Sequence, residues 1–228
     1  MRRALSLMRA VVLSVVLAAG LWTVATTADA PAKADGVEYL MVPSAAMGRD
    51  IPVAFQGGGP HAVFLLDAFN AAPDVSNWVN AGHAMTTLAG RGISVAAPAG
   101  GAWSLYTNWE QDGSKQWETF LSTELPDWLA ANKGLAPGGH GVVGVSQGGT
   151  AALALAAFYP NRFLYAGSMS GFLYPSNTFL NGALHAGMMQ FGGVDTNLMW
   201  GPAQAGRWKW HDPYVHNQQL IDNNTRLW

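Results

Sequence analysis

Short apolar runs separated by turn residues recur along the chain from residue 37 onward. Residues 37–42 and 51–55 alternate, or nearly alternate, between apolar and polar positions, which is typical of strands with one solvated face. Residues 61–66 and 93–97 are continuously apolar, which indicates strands buried on both faces of a parallel sheet. The turn residues between the first two runs predict that the domain begins with a β-hairpin.

Apolar residues recur at helical spacing in the segments that separate and follow these strands. The first predicted helix covers residues 77–90, and the second covers residues 110–131, where we expect Pro126 to divide or kink it. Residues 142–145 are predicted as a short buried strand, and a helix of small residues follows at 149–158. Strands and helices therefore alternate through the middle of the chain.

The order of these elements predicts the fold class. With Phe163–Met169 as the next strand, the alternation over residues 65–169 favours a right-handed, doubly wound, mostly parallel α/β sheet. Residues 170–222 are irregular and rich in Gly, Asn and Trp, and no strand is predicted there. Residues 223–228 read as a turn followed by the first residues of another strand. We therefore expect a sheet that is incomplete at its C-terminal end, as truncation of the record or of the gene would leave it.

The first thirty residues have the three parts of a secretory signal peptide. Its positive region contains Arg2, Arg3 and Arg9. An apolar stretch follows at residues 11–21, and small residues place the expected cleavage between Ala28 and Ala34. A membrane anchor is the alternative, but the apolar stretch is shorter than the ~20 residues that span a bilayer. We expect residues 1–30 to direct export and residues 31–228 to form one domain without a stable membrane span.

Composition excludes several classes of function. The formal net charge is -2, only 11% of the residues are charged and no basic run is present, so no nucleic-acid partner is expected. The chain has 0 Cys, so its stability depends on the core and not on disulfides. No metal-ligand cluster, phosphate loop or dinucleotide fingerprint is recognisable, and no cofactor is implied.

The strongest motif is Gly144-Val145-Ser146-Gln147-Gly148, which matches the pattern G-x-S-x-G. A buried strand precedes it and a helix of small residues follows it, which is the setting of the nucleophile elbow of α/β-hydrolases. There the serine stands at the helix N-terminus, where the helix dipole favours a developing negative charge. Ser146 is therefore the candidate nucleophile, and a βα turn without catalytic function is the alternative.

A serine hydroxyl needs a base to take its proton and an acid to orient that base. The downstream candidates are His185, His211 and His216 with Asp195, Asp212 and Asp222. None follows a predicted strand end, where this fold carries its acid and base, so the triad is expected to be incomplete. The alternative is that His211 or His216 serves as the base in place of the missing histidine.

Two backbone N–H groups are expected to form the oxyanion hole. One belongs to Gln147, directly after the nucleophile, and the other to Phe69 in the loop after the strand at 61–66. Asp67 in the same loop is either a capping carboxylate or a substrate ligand, and the sequence leaves both roles open.

Several long strings resemble one protein family. They are LLDAFNAAPDVSNW, PAGGAWSLYTNWEQ, KQWETFLSTELPDWLAANKGL, GVSQGG and NNTRLW. These strings resemble the secreted mycobacterial antigen 85 group of α/β-hydrolase-fold mycolyltransferases. The strings GSMSGFLYPSN, FGGVDTN and GRWKWHDP are similar to those of its smaller MPT/MPB-type branch. The resemblance covers roughly residues 38–228.

The resemblance implies site residues and also departures from the family pattern. It implies Ser146 as nucleophile, Phe69 and Gln147 as oxyanion donors, and Asp67 as a sugar ligand. Asn70 stands where the transferases have an arginine, and Tyr174 where they have a second substrate-contacting aspartate. The glutamate and histidine of the family triad would lie beyond Trp228. The MPT/MPB-type branch is regarded as catalytically impaired.

Two functions of different classes follow. The first is acyl (mycolyl) transfer or ester hydrolysis through Ser146, impaired here, with trehalose or arabinogalactan-type glycolipids as the partners that the resemblance implies. The second is non-catalytic binding of cell-wall carbohydrate or fibronectin. Residues 82–93 do not resemble the aromatic-rich segment of the family that is associated with fibronectin. Trp200, Trp208 and Trp210 are the candidates for stacking on a carbohydrate. At least two of them are expected to pack in the core instead.

Overall fold

The computed structural model describes residues 36–228, and the predicted signal peptide lies outside the described residues. In this part of the chain, seven strands form one sheet in the order β1-β2-β4-β3-β5-β6-β7. The strands are β1 Val37–Ser44, β2 Arg49–Gln56, β3 Ala62–Leu66, β4 Ser94–Pro98, β5 His140–Val145, β6 Phe163–Met169 and β7 Arg226–Leu227. β1 and β2 form the predicted hairpin, and β2 pairs with β4 in antiparallel orientation. The strands from β4 through β3, β5 and β6 to β7 are all parallel, which confirms the predicted fold class.

The helices lie between the strands of this sheet and after β6. They are α1 Asn77–Asn80, α2 Ala84–Leu88, α3 Trp117–Thr119, α4 Leu125–Lys133, α5 Gln147–Phe158, α6 Thr178–Gly192, α7 Asn197–Trp200, α8 Arg207–Trp210 and α9 Asn217–Asp222. A π-helical segment, Phe120–Glu124, joins α3 to α4. Among residues 36–228, no helix is long and apolar enough to cross a bilayer.

The central strands β3 and β4 are buried on both faces, as their continuous apolar runs predict. Phe64 and Leu66 of β3 face a cluster formed with α3, α4 and α5, whereas Val63 and Leu65 face a second cluster formed with α1 and α2. The two sets alternate along the strand because successive side chains point to opposite faces. A third apolar cluster, around Trp208, joins α6, α7 and α8 to the loop after β4.

The single helix predicted at 77–90 is wrong, because the structure has two short helices there. The first ends at Asn80, and His83, with a left-handed backbone at φ 48°, stands directly before the second. Gly82 lies so close to α1 that a Cβ on it would be 2.9 Å from the carbonyl oxygen of Trp78. The helical spacing of the apolar residues did not reveal this reversal of the backbone.

The helix predicted at 110–131 begins seven residues later than expected, at Trp117. A turn precedes it, in which the Trp109 N–H donates to the carbonyl of Lys115 and the Asp112 carboxylate accepts from Ser114. Pro126 does not end the helix. The helix is widened in the π-helical segment directly before Pro126, where the missing N–H of the proline leaves a carbonyl without its usual donor.

The irregular segment 170–222 contains no strand, as predicted, but it contains a helix of 15 residues, α6, that was not predicted. The Asn177 side chain caps its start by accepting from the N–H groups of Phe179 and Leu180, and Gly193 ends it at φ 64°. Gly182 and Gly187 interrupt its apolar pattern, and the helix carries no charged residue. These features concealed it among loop-like residues.

Candidate active site

Ser146 stands at the corner between β5 and α5, with φ 56° and ψ -119°. This conformation is strained for a residue with a side chain, and such residues cluster at functional sites. Three hydrogen bonds hold the corner: the Ser146 N–H donates to the carbonyl of Met169, and the Ser146 carbonyl accepts from the N–H groups of Gly149 and Thr150. The backbone geometry is that of the predicted elbow.

The glycines of the motif are required by close backbone approaches. A Cβ on Gly144 would lie 2.2 Å from the backbone of Gly148, so strand and helix could not meet. A Cβ on Gly148 would lie 2.5 Å from the carbonyl oxygen of Leu66 at the end of β3. The motif therefore brings three elements together, the ends of β3 and β5 and the start of α5.

The Gln147 side chain joins two loops to the elbow. It is fully buried, its Oε1 accepts from the Leu105 N–H at 2.9 Å, and its Nε2 donates to the carbonyls of Ala68 at 2.9 Å and Gly101 at 2.8 Å. Sequence reasoning assigned a role only to the Gln147 backbone. Its polar side chain at the start of a buried helix of small residues was the only signal of the second role.

Gln147 and Phe69, the two predicted oxyanion donors, lie on segments that this network connects. Gln147 is the first residue of α5, so its N–H has no acceptor within the helix. Neither this N–H nor that of Phe69 donates to another described residue. The Phe69 ring stacks on Trp103 with centroids 4.7 Å apart, and the Trp103 N–H donates to the Phe69 carbonyl. Both N–H groups are therefore available to a ligand. The loop that carries Phe69 is held in place by this stacking and this hydrogen bond.

Asp67 has capping contacts in the structure. Its buried carboxylate accepts from the Ser76 hydroxyl at 3.0 Å and from the Asn77 N–H at 3.2 Å, at the start of α1. Burial raises the pKa of Asp67 to about 6, and the hydrogen bonds from Ser76, Asn77 and Trp78 oppose that rise. Of the two roles that the sequence left open, these contacts supply the capping role. A contact of Asp67 with substrate stays a prediction.

Asn70 and Tyr174, the other predicted substrate residues, are exposed. The Asn70 carbonyl accepts from the Asn77 side chain, and the Tyr174 ring stacks on Tyr214 with centroids 4.5 Å apart. No hydrogen bond or ring contact joins either residue to Ser146. Their contact with substrate stays a prediction.

None of the histidines in residues 36–228 donates to or accepts from the Ser146 hydroxyl. His185 pairs with Thr196, and the rings of His211 and His216 lie against Phe158. Phe158 lies twelve residues beyond Ser146 on α5, about 18 Å along the helix axis. No hydrogen bond or ring contact joins His211 or His216 to Ser146, so the structure does not place either of them as its base.

The fold and the elbow together define a protein of the α/β-hydrolase class. Residues 44–228 match the family model described as putative esterase. The MPT51/MPB51 antigen of Mycobacterium tuberculosis strain H37Rv is 74% identical over 212 residues, 93% of this chain and 71% of that protein. The diacylglycerol acyltransferase/mycolyltransferase Ag85B of Mycolicibacterium smegmatis is 47% identical over 203 residues, 84% of this chain and 62% of that protein.

A solved structure agrees with these relatives. The crystal structure of Mycobacterium tuberculosis MPT51 matches with a TM-score of 0.85 and 76% identity, over 86% of this chain and 73% of that one. The chain therefore belongs to the antigen 85 family of putative esterases, in its MPT51/MPB51 branch. The sequence resemblance predicted this membership, and the comparisons confirm it.

Proposed function

We propose that Ser146 carries acyl-transfer chemistry, either hydrolysis of an ester or transfer of its acyl group to a hydroxyl. The Ser146 oxygen attacks the ester carbonyl, the oxyanion accepts from the N–H groups of Phe69 and Gln147, and the alcohol departs with a proton. Water or a sugar hydroxyl then attacks the acyl-serine and restores the free hydroxyl. The observation that carries the proposal is the strained corner at Ser146, which the unpartnered Gln147 N–H follows directly. The Gln147 side chain also holds the loop that carries the second unpartnered N–H, that of Phe69.

We expect the proposed reaction to be slow with the side chains that residues 36–228 supply. No histidine in residues 36–228 hydrogen-bonds to the Ser146 hydroxyl, so no imidazole there is in place to take its proton. Loss of triad members costs other serine hydrolases about 10⁴–10⁶-fold in turnover, while the oxyanion donors retain part of the catalysis. We infer a low but serine-dependent activity.

The proposed acyl acceptor is a sugar hydroxyl of a trehalose or arabinogalactan-type glycolipid. The support is the mycolyltransferase name of the Ag85B relative. The transferases have an arginine at the position of Asn70, and its planar guanidinium presents several N–H donors to sugar hydroxyls. Asn70 lacks this group, so we expect weaker sugar binding. Export through the leader at residues 1–30 is part of the same proposal, since such glycolipids belong to the cell wall.

Hydrolysis of a short-chain nitrophenyl ester tests the proposal. Wild type should release nitrophenol faster than Ser146→Ala, whereas Ser114→Ala, which alters an exposed serine outside the elbow, should match wild type. A fluorophosphonate probe should label wild type and Ser114→Ala, with the added mass on the Ser146 peptide. Equal release and equal absence of label in wild type and Ser146→Ala would refute the enzyme function.

A second candidate function is non-catalytic binding of cell-wall carbohydrate or fibronectin. It is favoured by the lack of a hydrogen bond between the Ser146 hydroxyl and any histidine of residues 36–228. Of the three tryptophans considered for stacking, Trp200 and Trp208 are buried in the core and Trp210 is 59% exposed. Fibronectin has less support, because residues 82–93 contain no aromatic side chain other than His83. A surface-binding assay with immobilised fibronectin tests this binding. If the protein binds fibronectin no better than it binds an albumin control, fibronectin is excluded as a ligand.

A further inference from the structure

A cluster of basic side chains lies at the amino ends of β3, β5 and β6, at the opposite end of the sheet from Ser146. His140, the first residue of β5, is 1% exposed and stacks on Phe64 with ring centroids 5.4 Å apart. His61 precedes β3, and its ring centroid lies 6.2 Å from that of His140. Arg162 precedes β6, and its carbonyl accepts from the His140 N–H at 2.8 Å. Basic residues from three segments therefore meet at this end of the sheet.

The His140 ring takes part in the hydrogen bonding of the backbone at this end. Its Nδ1 accepts from the N–H of Ala62, the first residue of β3, at 3.2 Å. The neutral ring therefore carries its proton on Nε2, which is buried and makes no hydrogen bond to a described residue. A second proton would have to bind Nδ1, where it would face the Ala62 N–H, and two donors would then oppose each other. Protonation of His140 therefore breaks the hydrogen bond that joins the start of β5 to the start of β3.

The loop before β5 is bound on both sides by the other two basic residues. His61 Nδ1 donates to the carbonyl of Gly138 at 3.0 Å, and the Arg162 guanidinium donates to the carbonyl of Pro137. The backbones are also in close contact, because a Cβ on Gly138 would lie 1.9 Å from the carbonyl oxygen of Asn161. These contacts keep the side chains of His61 and Arg162 beside the start of β5.

The surroundings of His140 oppose a positive charge on its ring. Burial, and then the positive charges of His61 and Arg162, lower the pKa of His140 from 6.5 to about 4, against the opposing effect of the Ala136 backbone. The carboxylate of Asp127 in α4 pairs with Arg162 at 2.7 Å, but its side chain is 55% exposed. Between pH 4 and 6.5 the unfolded chain therefore binds more protons than the folded one. The cluster is stabilised above pH 6.5 and loses this stability as the pH falls towards 4.

We propose that this cluster is an acid-sensitive latch, in which protonation of His140 breaks its hydrogen bond to Ala62 and releases the loop before β5 from its neighbours. Release exposes the imidazolium to water, which removes the cost of a buried charge beside His61 and Arg162. The opening is local to the amino ends of the strands, whereas Ser146 follows the carboxyl end of β5. The latch therefore does not depend on acyl transfer at Ser146.

Amide hydrogen exchange, measured by NMR at pH 7 and at pH 5, tests the proposal. In wild type, the protection factor of the Ala62 N–H should fall at least about tenfold at pH 5, because an open state with the ordinary pKa of 6.5 for His140 gains about twentyfold in population. The protection factor of the Ser146 N–H, which donates to the carbonyl of Met169, should change less than about threefold. His140→Gln gains no charge and can still accept from the Ala62 N–H, so it should keep its protection at both pH values. The matched control is His83→Gln, which removes an exposed histidine outside the cluster and should behave as wild type.

Titration of the imidazole Hε1 resonances supplies a second measurement that needs no substitution of His140. The His140 ring should titrate near pH 4, and His61→Gln should raise this midpoint, whereas His83→Gln should not. A midpoint of 6.5 for His140 overturns the proposal, and so does an unchanged protection factor of the Ala62 N–H in wild type. Equal losses of protection at Ala62 and Ser146 would mean global unfolding by acid, and the latch would be refuted.

Discussion

The side-chain amide of Gln147 donates a 2.9 Å hydrogen bond to the backbone carbonyl of Ala68, so the residue after the candidate nucleophile holds the loop that carries Phe69. The two predicted oxyanion donors are therefore not independent. The Gln147 backbone supplies one N–H group, and its side chain positions the loop that supplies the other. This coupling has consequences for stability and for reactivity.

Replacing Gln147 with methionine should destabilise the protein by about 2–4 kcal/mol. The variant keeps the volume but leaves the Leu105 N–H and the carbonyls of Ala68 and Gly101 buried without this partner, at about 1–3 kcal/mol each and less than additively. Urea denaturation measures the change. Gln190→Ala, at an exposed position of α6, should stay within about 0.5 kcal/mol of wild type. Equal midpoints for both variants would contradict the bridging role.

Buried Asp67 should give the protein a characteristic dependence of stability on pH. Its pKa is raised from 3.8 to about 6, so the native state binds more protons than the unfolded state between these values. The contribution of Asp67 to the free energy of unfolding therefore falls as pH rises from about 4 to 6, by about 3 kcal/mol. Asp67→Asn should remove this fall, whereas Asp74→Asn should retain it. Parallel stability curves for wild type and Asp67→Asn would refute the burial effect.

The elements that sequence patterns predicted are those whose signal is local. The apolar runs of β3 and β4 are read from consecutive residues, because a strand buried on both faces is apolar at every position. The elbow is also local, since Gly144 and Gly148 approach each other within one turn of chain. Such features need no knowledge of distant segments.

The features that patterns missed depend on distant or unusual contacts. The acceptors of the Gln147 side chain are backbone carbonyls on two remote loops, and backbone groups carry no sequence signature. The break at His83 depends on a left-handed backbone at a residue that is not glycine. The contacts of Asp67 with Ser76 and Asn77 depend on the exact placement of α1 over the end of β3, which no periodicity encodes.

Two helical glycines should respond to alanine with opposite signs. A Cβ on Gly148 would lie 2.5 Å from the carbonyl oxygen of Leu66 and 2.8 Å from that of Asp67, so Gly148→Ala should destabilise the protein by about 1–3 kcal/mol. Nothing lies within 4 Å of the corresponding position on Gly182 in α6. Gly182→Ala should therefore stabilise the protein by about 0.5–1 kcal/mol. Thermal unfolding measures both, and a Gly148→Ala variant as stable as wild type would show that crowding at Gly148 is not limiting.

Strain at Ser146 separates two variants that both lack the hydroxyl. Glycine adopts φ 56° without a side-chain clash, whereas alanine keeps the strain of the wild-type corner, which amounts to about 1–3 kcal/mol. Ser146→Gly should therefore be more stable than Ser146→Ala by at least about 1 kcal/mol in urea denaturation. Neither variant should react with a fluorophosphonate, because both lack the nucleophilic oxygen. Equal stability would mean that the corner is relaxed in solution, and the elbow would then lose the strain that distinguishes it from an ordinary turn between a strand and a helix.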